Sequence, residues 1–508
     1  MKVLLAAPGT GKTTKISSLI KGKENSQSIL ILSFTNATII DLLRDLGSAG
    51  INDQNCMTLH KFAVKYNHDK FRYVLNRLEI EKLEYIATGV KKSFNELCDF
   101  LSVTTFDQMI ERFVSYAKHN KAYLQEKLSQ FDTLIIDEYQ DFNPSEQALI
   151  DLLIEQIADV YILGDDDQCI YDFKDASTDR IIELHGSHES LEHEHICYRC
   201  PDKVVHHAIT LIKLNTKRVD KPWNKFGKPG ELICKQFSTT EDVASYVCAE
   251  VQKIVAETPQ EAVLILSPVQ FSARDVAEKL NELGIKYKNY FVPSIPETLI
   301  VKSWKLKALF GKCQYLNLLL LGYKIYTPRK KLYELIKKHI ETGQDFAELH
   351  KLLESRLPAE MQKSYATIEE AFTETEFSEL AELYSNAKGD NEEERLQTLL
   401  IQAEEADDKN IKLMTIHKSK GLGAEHVFMI GLTEGIIPNK KRGTDSIESQ
   451  RRLFYVGMTR AKKNLHLLSS VKIKGSDART VNIDDFRFNR QTRTWDGRAS
   501  RFIEELGL

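Results

Sequence analysis

Nine residues near the start of the chain, Ala6-Ala7-Pro8-Gly9-Thr10-Gly11-Lys12-Thr13-Thr14, are of the types that grip phosphate. Gly9 and Gly11 permit a tight loop whose backbone N–H groups converge on an anion. Lys12 can then reach the outer phosphates, and the Thr13 hydroxyl can ligate Mg²⁺. Ala6 stands where such loops normally begin with glycine. A second set closes the apolar run Thr133-Leu134-Ile135-Ile136: the carboxylates Asp137 and Glu138. Carboxylates at the end of a buried strand are costly to desolvate unless they have charge to meet. This pair would supply what phosphoryl transfer to water still lacks, with Asp137 in the Mg²⁺ shell and Glu138 polarising the attacking water. Together the two sets imply hydrolysis of a nucleoside triphosphate, with ATP and Mg²⁺ as the cofactors.

Such residues need strands and helices to hold them. Residues 2–6 form a short apolar run and residues 15–21 read as the start of a helix, which gives strand, loop and helix around the glycines. Residues 29–32, 134–136 and 160–163 fit one parallel sheet, while 262–266, 412–416, 427–430 and 465–468 fit a second. The periodic, charged stretches 69–97 and 330–405 read as helical insertions. A length of 508 residues exceeds one ordinary core, so at least two domains are expected. Hydrophobic residues at 42% and charged residues at 28% exclude a collagenous or wholly disordered chain. No apolar run reaches the roughly 18 to 20 residues of a membrane helix and no cleavable signal pattern opens the chain, so a cytoplasmic protein with no membrane partner is expected. The eight scattered cysteines then read as reduced thiols. A net charge of −4 decides nothing about nucleic acid, which needs a local basic groove and not a basic total.

Five further stretches follow in a fixed order: SFTNAT at 33–38, TLHKFA at 58–63, LGDDDQCIYDFKDA at 163–176, MTIHKSKGLGAEHVFMIGLTEGIIP at 414–438 and RRLFYVGMTRA at 451–461. With these the chain resembles the UvrD/Rep-type (PcrA-like) superfamily 1 DNA helicases over nearly its whole length, down to SRFIEEL at 500–506. The resemblance implies an α/β fold of two RecA-like P-loop domains with parallel sheets, each carrying a short helical insertion. ATP would lie between them and single-stranded DNA across their tops. The first domain would comprise 1–65 and 106–185 with its insertion at 66–105; the second would comprise 186–325 and 406–508 with its insertion at 326–405.

The resemblance also implies roles. Gln168 would sense the γ-phosphate. Arg199 in CYRC and Arg460 in GMTRA would reach in from the second domain as arginine fingers, so that hydrolysis requires the cleft to close. Tyr198 would stack on the adenine, and Gly421 would border the nucleotide. Phe34, His60, Tyr171 and Phe173 would offer faces for base stacking, with Thr35, Lys174, Thr415 and His417 near the DNA backbone. Phe173-Lys174 stands where the family more usually has Trp-Arg. The expected partners are single-stranded and tailed duplex DNA, with movement 3′ to 5′. The alternative is an ATPase subunit bound to a protein partner in a repair, nuclease or defence complex.

Several departures from the family pattern carry expectations. Most relatives have a segment before the phosphate loop that reads the adenine edge. With no room for it here, base recognition falls to Tyr198, and GTP is expected to be turned over nearly as well as ATP. Gly423 replaces the glutamate that usually contacts the nucleotide sugar, with Glu425 nearby. The C-terminal nuclease motifs of some relatives are absent, so DNA cleavage is not expected. His188, His193, His195, Cys197, Cys200, His206 and His207 crowd a short span whose Cys-x-x-Cys has zinc-like spacing. Because Tyr198 and Arg199 between the cysteines are claimed by the nucleotide, the favoured reading is incidental Cys and His within the motif. The acidic stretches at 369–382 and 391–394 read as solvated helix faces.

Overall fold

Runs such as Ile29-Leu30-Ile31-Leu32-Ser33, buried at every position, can satisfy their backbone only inside a sheet covered on both faces, which is the signature of parallel strands flanked by helices. The computed structural model describes the chain except residues 24, 48–49, 69–72, 293–298, 324–328, 343–345, 360–361, 363–383, 389–393, 397, 401–408, 440–446, 475–476, 478–485 and 492–493. Its contacts divide it into two units. One comprises 1–66, 114–291 and 409–508; the other comprises 67–113 and 292–408.

The first unit holds two six-stranded parallel sheets. In the first sheet β1 (Lys2–Leu5), β2 (Ile29–Ser33), β3 (Cys56–Thr58), β4 (Thr133–Ile136), β5 (Asp159–Gly164) and β6 (Glu189–Ser190) lie in the order β3-β2-β4-β5-β1-β6. In the second, β7 (Glu231–Phe237), β8 (Val263–Ser267), β9 (Lys288–Asn289), β10 (Ile411–Thr415), β11 (Ala424–Met429) and β12 (Ala461–Ser470) lie in the order β7-β12-β11-β8-β10-β9. This is the mixed α/β architecture of two RecA-like domains. Alternation along the strands splits the second core cleanly. Leu264, Leu266, Val427, Met429 and Leu465 pack on one face, and Val263, Ile265, Leu413, Phe428 and Leu468 on the other. In the first sheet Leu4, Ile29, Ile31 and Ile135 pack against Ile16 and Ile20 of α1 (Lys12–Lys21). The phosphate-loop motif therefore follows β1, the carboxylate pair follows β4 and Gln168 follows β5. All three stand at the carboxyl ends of neighbouring strands, where open α/β sheets bind ligands.

Strands β3, β6, β7 and β9 were not anticipated. Three are only two or three residues long, and β7 is a largely exposed edge strand, so none shows a clear apolar run. A small antiparallel sheet of Lys472–Lys474, Thr494–Asp496 and Arg487–Asn489 was likewise illegible.

The second unit is mainly helical. Glu79 and Glu96 complete capping boxes with Asn76 and Ser93, which fixes the starts of Arg77–Val90 and Phe94–Leu101. Leu83 and Leu97 of these helices share one core with Leu316, Leu319, Leu332 and Ile336. The division departs from the expected bounds at two places: residues 106–113, expected in the first α/β domain, fall with the helical unit, and so do residues 292–325, expected in the second. Helices Leu299–Lys312 and Gln314–Tyr323, assigned from sequence to the second α/β domain, belong with the helical unit because their leucines lie in its core. The acidic residues 369–382 and 391–393 lie outside the described residues.

Candidate functional site

After β1 the chain turns through Gly9 and Gly11 at φ +72° and +90°, a region that disfavours side chains. Gly9 is needed twice over, since a Cβ there would stand 2.6 Å from the Arg199 Cβ. The loop is braced by Thr10 Oγ1 donating to the Ala7 carbonyl at 2.8 Å and by Tyr198 N donating to the Gly9 carbonyl at 2.9 Å. Helix α1 begins on Gly11 with no side-chain cap, so its first N–H groups and its positive end are of the kind that suit an anion. The Lys12 ammonium donates to the Ala6 carbonyl at 3.1 Å and stands 4.0 Å from Glu138 Oε1.

Asp137 is buried, and its Oδ1 accepts no hydrogen bond among the described residues. Burial, then the neighbouring Glu138 charge, pushes its carboxyl well above the ordinary range. Glu138 behaves oppositely: burial alone would raise it, but Lys12 and Lys420 outweigh that and hold it ionised. Its backbone sits at φ +53°, a left-handed conformation uncommon outside glycine, and Gln140 Nε2 donates to its Oε2 at 2.6 Å. The result is an ionised carboxylate held in fixed orientation beside the phosphate loop.

Lys420, from the segment after β10, reaches this cluster from the second sheet. Its ammonium donates to Asp141 Oδ1 at 2.7 Å and to the Gln168 carbonyl at 2.6 Å, and lies 4.0 Å from Glu138 Oε2. Burial would lower its pKa, yet Asp141 and Glu138 raise it above the ordinary lysine value. Arg460, between α2 (Ile447–Met458) and β12, is also buried. Its Nη2 donates to Gln168 Oε1 at 3.0 Å, and its Nε to the Val456 carbonyl at 2.8 Å. Gln168 Nε2 in turn donates to Asp165 Oδ2 at 2.7 Å. Gln168 thus joins the end of β5 to a guanidinium of the second sheet, while Arg199 is laid against the phosphate loop at Gly9.

Asp165, Asp166 and Asp167 are buried together, with ligand oxygens within 4.8 Å of one another. Their cation is Lys221, whose ammonium lies 3.0, 2.6 and 2.6 Å from the three carboxylates. Arg218 adds a two-pronged contact to Asp167 at 3.0 and 2.9 Å. Removing one partner from such a buried network leaves charge uncompensated. Lys221→Met is therefore expected to cost about 3–5 kcal/mol of stability, read from the urea midpoint; a change below ~1 kcal/mol would contradict the clasp.

The residues expected on DNA fall into two groups. Four form a connected row: Phe34–Tyr171 at 5.0 Å between ring centroids, Tyr171–Phe173 at 5.9 Å and Phe173–His417 at 5.6 Å. Lys174 Nζ lies over the Phe34 and Tyr171 rings at 5.7 and 5.8 Å. Phe173 is 57% exposed, so its face is offered to solvent. Phe142, not anticipated, buttresses Phe34 from behind at 5.6 Å. The other expected positions have local work. Thr35 caps the helix Asn36–Leu46 by accepting from Thr38 N, Thr415 Oγ1 accepts from Lys418 N at 3.2 Å, and His60 Nε2 pairs with Glu146 Oε1 at 3.1 Å.

Tyr198 is 45% exposed, donates its hydroxyl to Glu194 at 3.1 Å and packs on the exposed ring of Phe226 at 4.8 Å. Gly421 stands at φ +87° in open space. The crowded histidines scatter. His193 meets His195 edge-on, His206 meets His207, and His207 engages the Leu506 carbonyl at 2.9 Å, while Cys197 turns to the Pro8 carbonyl. Among the described residues only Asp165 to Asp167 bring ligand atoms together in a group of three or more.

The UvrD/REP helicase N-terminal domain family matches residues 69–189, and the UvrD-like helicase C-terminal domain family matches residues 321–472. The chain is similar to the ATP-dependent DNA helicase Rep of Buchnera aphidicola subsp. Acyrthosiphon pisum, at 28% identity over 80% of this chain and 73% of that protein. The chain belongs to the UvrD/Rep-type superfamily 1 helicase family. It is also similar to the ATP-dependent DNA helicase PcrA of Leuconostoc citreum, at 25% identity over 72% of this chain and 58% of that one. DNA helicase II of Haemophilus influenzae matches at 23% identity over 73% of this chain and 60% of its own. The chain thus spans less than two thirds of these last two relatives.

Within this UvrD/Rep-type cleft, Lys420, Asp141, Arg218 and Lys221 were not singled out from sequence. Lys420 does sit inside the quoted HKSKG stretch, and a lysine among polar neighbours is ordinarily solvated. Only the fold reveals that it crosses to the opposite carboxylates.

Proposed function

We propose that the chain is an ATP-dependent motor that moves 3′ to 5′ on single-stranded DNA and separates duplex ahead of it, in the cytoplasm, with Mg²⁺ as cofactor. One observation carries this: a single cleft gathers Lys12, Asp137 and Glu138 with Arg460, Lys420 and Arg199, so that groups from both sheets meet where a triphosphate would lie. The buried Asp137 oxygen, without a hydrogen-bond partner among the described residues, and the hydroxyl of Thr13 suit a divalent cation. When bound, that cation would offset phosphate charge during hydrolysis. Lys12 would leave the Ala6 carbonyl for the outer phosphates, and Glu138 would orient water. Arg460, already on Gln168, would respond to the γ-phosphate through it and so tie nucleotide state to the aromatic row that follows β5.

Two measurements test the DNA half. Strand separation should be seen with a 3′-tailed duplex and not with a 5′-tailed one. Stimulated hydrolysis without separation on either would instead support an ATPase subunit that acts with a protein partner. Phe173→Ala should raise the single-stranded DNA concentration needed for half-maximal stimulation, since one base stack is worth about 1–3 kcal/mol. An unchanged value would remove Phe173 from the track.

The sugar subsite yields a further expectation. At Gly423 a Cβ would stand 3.2 Å from the flexible end of Lys462, with the Arg460 carbonyl at 3.5 Å and Arg199 Cδ at 4.0 Å in ordinary contact, so no carboxylate occupies the place where the family usually carries glutamate. Glu425 is committed elsewhere, accepting from Ala262 N at 3.0 Å and pairing with Lys462 at 3.4 Å. dATP should therefore support hydrolysis as well as ATP. Gly423→Glu should create a preference for ATP of roughly tenfold, the worth of one charge-assisted hydrogen bond of about 1.5 kcal/mol. The kcat/KM ratio of the two nucleotides reads this, and a strong ATP preference in the native chain would contradict it.

A further inference from the structure

Cys197 and Cys200 flank the two residues expected to hold nucleotide, Tyr198 and Arg199. Both thiols are buried, and they lie against each other: Cys200 N donates to Cys197 Sγ at 3.4 Å. Cys197 is also part of the floor under the phosphate loop. Its Sγ donates to the Pro8 carbonyl at 3.4 Å and lies 3.1 Å from where a Cβ on Gly9 would stand, and Trp223 Nε1 donates to the same carbonyl at 3.1 Å. Cys200 Sγ donates to the Thr459 carbonyl at 3.4 Å, one residue before Arg460. The dithiol therefore touches the phosphate loop on one side and the arginine segment on the other.

We propose that Cys197 and Cys200 form an oxidisable dithiol, attacked by hydroperoxides, whose conversion to a disulfide shuts the nucleotide site. The polarity of the pair favours Cys197 as the attacking sulfur. The Cys200 side chain against its sulfur, opposed by burial and assisted by nearby N–H groups, lowers the Cys197 thiol to about 6. Cys56, Cys98, Cys169 and Cys248 move the other way, pushed up by burial. A thiolate is the nucleophile in such chemistry. In the first step Cys197 Sγ bonds to a peroxide oxygen, the O–O bond breaks, and the departing oxygen takes a proton to leave as water or alcohol. In the second, Cys200 Sγ bonds to the Cys197 sulfur and the S–O bond breaks. The hydroxide that leaves takes the Cys200 proton and becomes water. The sulfurs lose two electrons and the peroxide gains them.

Because both thiols are buried, oxidant reaches them only when the phosphate loop lifts from Cys197, which opening of the cleft provides. The new bond then draws the Cys197 sulfur off the Pro8 carbonyl and constrains the short segment that carries Tyr198 and Arg199. Loss of turnover follows from the displaced arginine and the altered loop, and a dithiol reductant reverses it.

The test treats the full-length chain with hydrogen peroxide and measures ATP hydrolysis before and after dithiothreitol. This readout rests on the ATPase reading, whereas a peptide map of the same sample does not. Trypsin cuts between Arg199 and Cys200, so the disulfide is recognised as two tryptic peptides joined until reduced. The expected result is that joined pair, with turnover lost in proportion to it and restored by reductant. Cys200→Ser should show neither the joined pair nor reversible loss. The proposal is overturned if the treated native chain lacks the joined pair, or if Cys200→Ser loses and regains activity as the native chain does. Joined peptides in a native chain that hydrolyses no ATP even when reduced would retain the dithiol and sink the ATPase reading instead.

Discussion

Glu138→Gln is expected to lower ATP turnover by about 10³-fold, within the range that a positioned base supplies, while nucleotide and DNA binding persist. The substitution keeps the size of the side chain and its contact with Gln140, and removes only the charge. That charge is what the site is built to keep: Lys12 and Lys420 flank it, and the strained φ of +53° aims it. A loss of 10³ corresponds to about 4 kcal/mol of transition-state stabilisation. Single-turnover hydrolysis with a fluorescent nucleotide titration on the same sample separates chemistry from binding. Equal weakening of both would contradict the role of base.

Arg460→Ala is expected to cut turnover by a similar factor of about 10³, the lower bound for an arginine finger. The reason differs. Arg460 is held by the Val456 and Leu422 carbonyls and by Thr459 Oγ1, so its guanidinium is aimed before nucleotide arrives. Burial, reinforced by Arg199, pulls its pKa down to about 10, which still leaves it charged at neutral pH. Removing it also leaves Gln168 Oε1 without this donor, so stability will fall too. Arg460→Lys separates the effects: the charge stays, the reach and fork do not. Arg460→Lys is expected to remain folded by thermal melting yet hydrolyse ATP hardly better than the alanine variant. Near-normal turnover in either variant would remove Arg460 from the chemistry.

Much of this was legible in the sequence because it rests on local rules. Glycine spacing marked the phosphate loop, and apolar runs of four or five residues marked the central strands, since strands buried on both faces must be apolar throughout. The edges β3, β6, β7 and β9 were silent because two or three residues, or an exposed edge, need no such pattern. Lys420 and Lys221 were silent for a different reason. A buried cation is stabilised by carboxylates distant in sequence, Asp141 in one case and Asp165 to Asp167 in the other, and only the fold brings them together. The misplaced boundary at helices Leu299–Lys312 and Gln314–Tyr323 has the same origin. Leucine-rich helices declare that they are buried and not against which core.

The central claim is that one cleft between two RecA-like sheets converts ATP hydrolysis into movement on DNA. It is tested most directly by steady-state ATP hydrolysis of the full-length chain with Mg²⁺, at fixed low salt, with and without mixed-sequence single-stranded DNA. Slow turnover alone and a large rise on adding DNA are the expected results. An identical rate with and without DNA would contradict it, since Gln168 and the aromatic row after β5 would then carry no signal between the two sites.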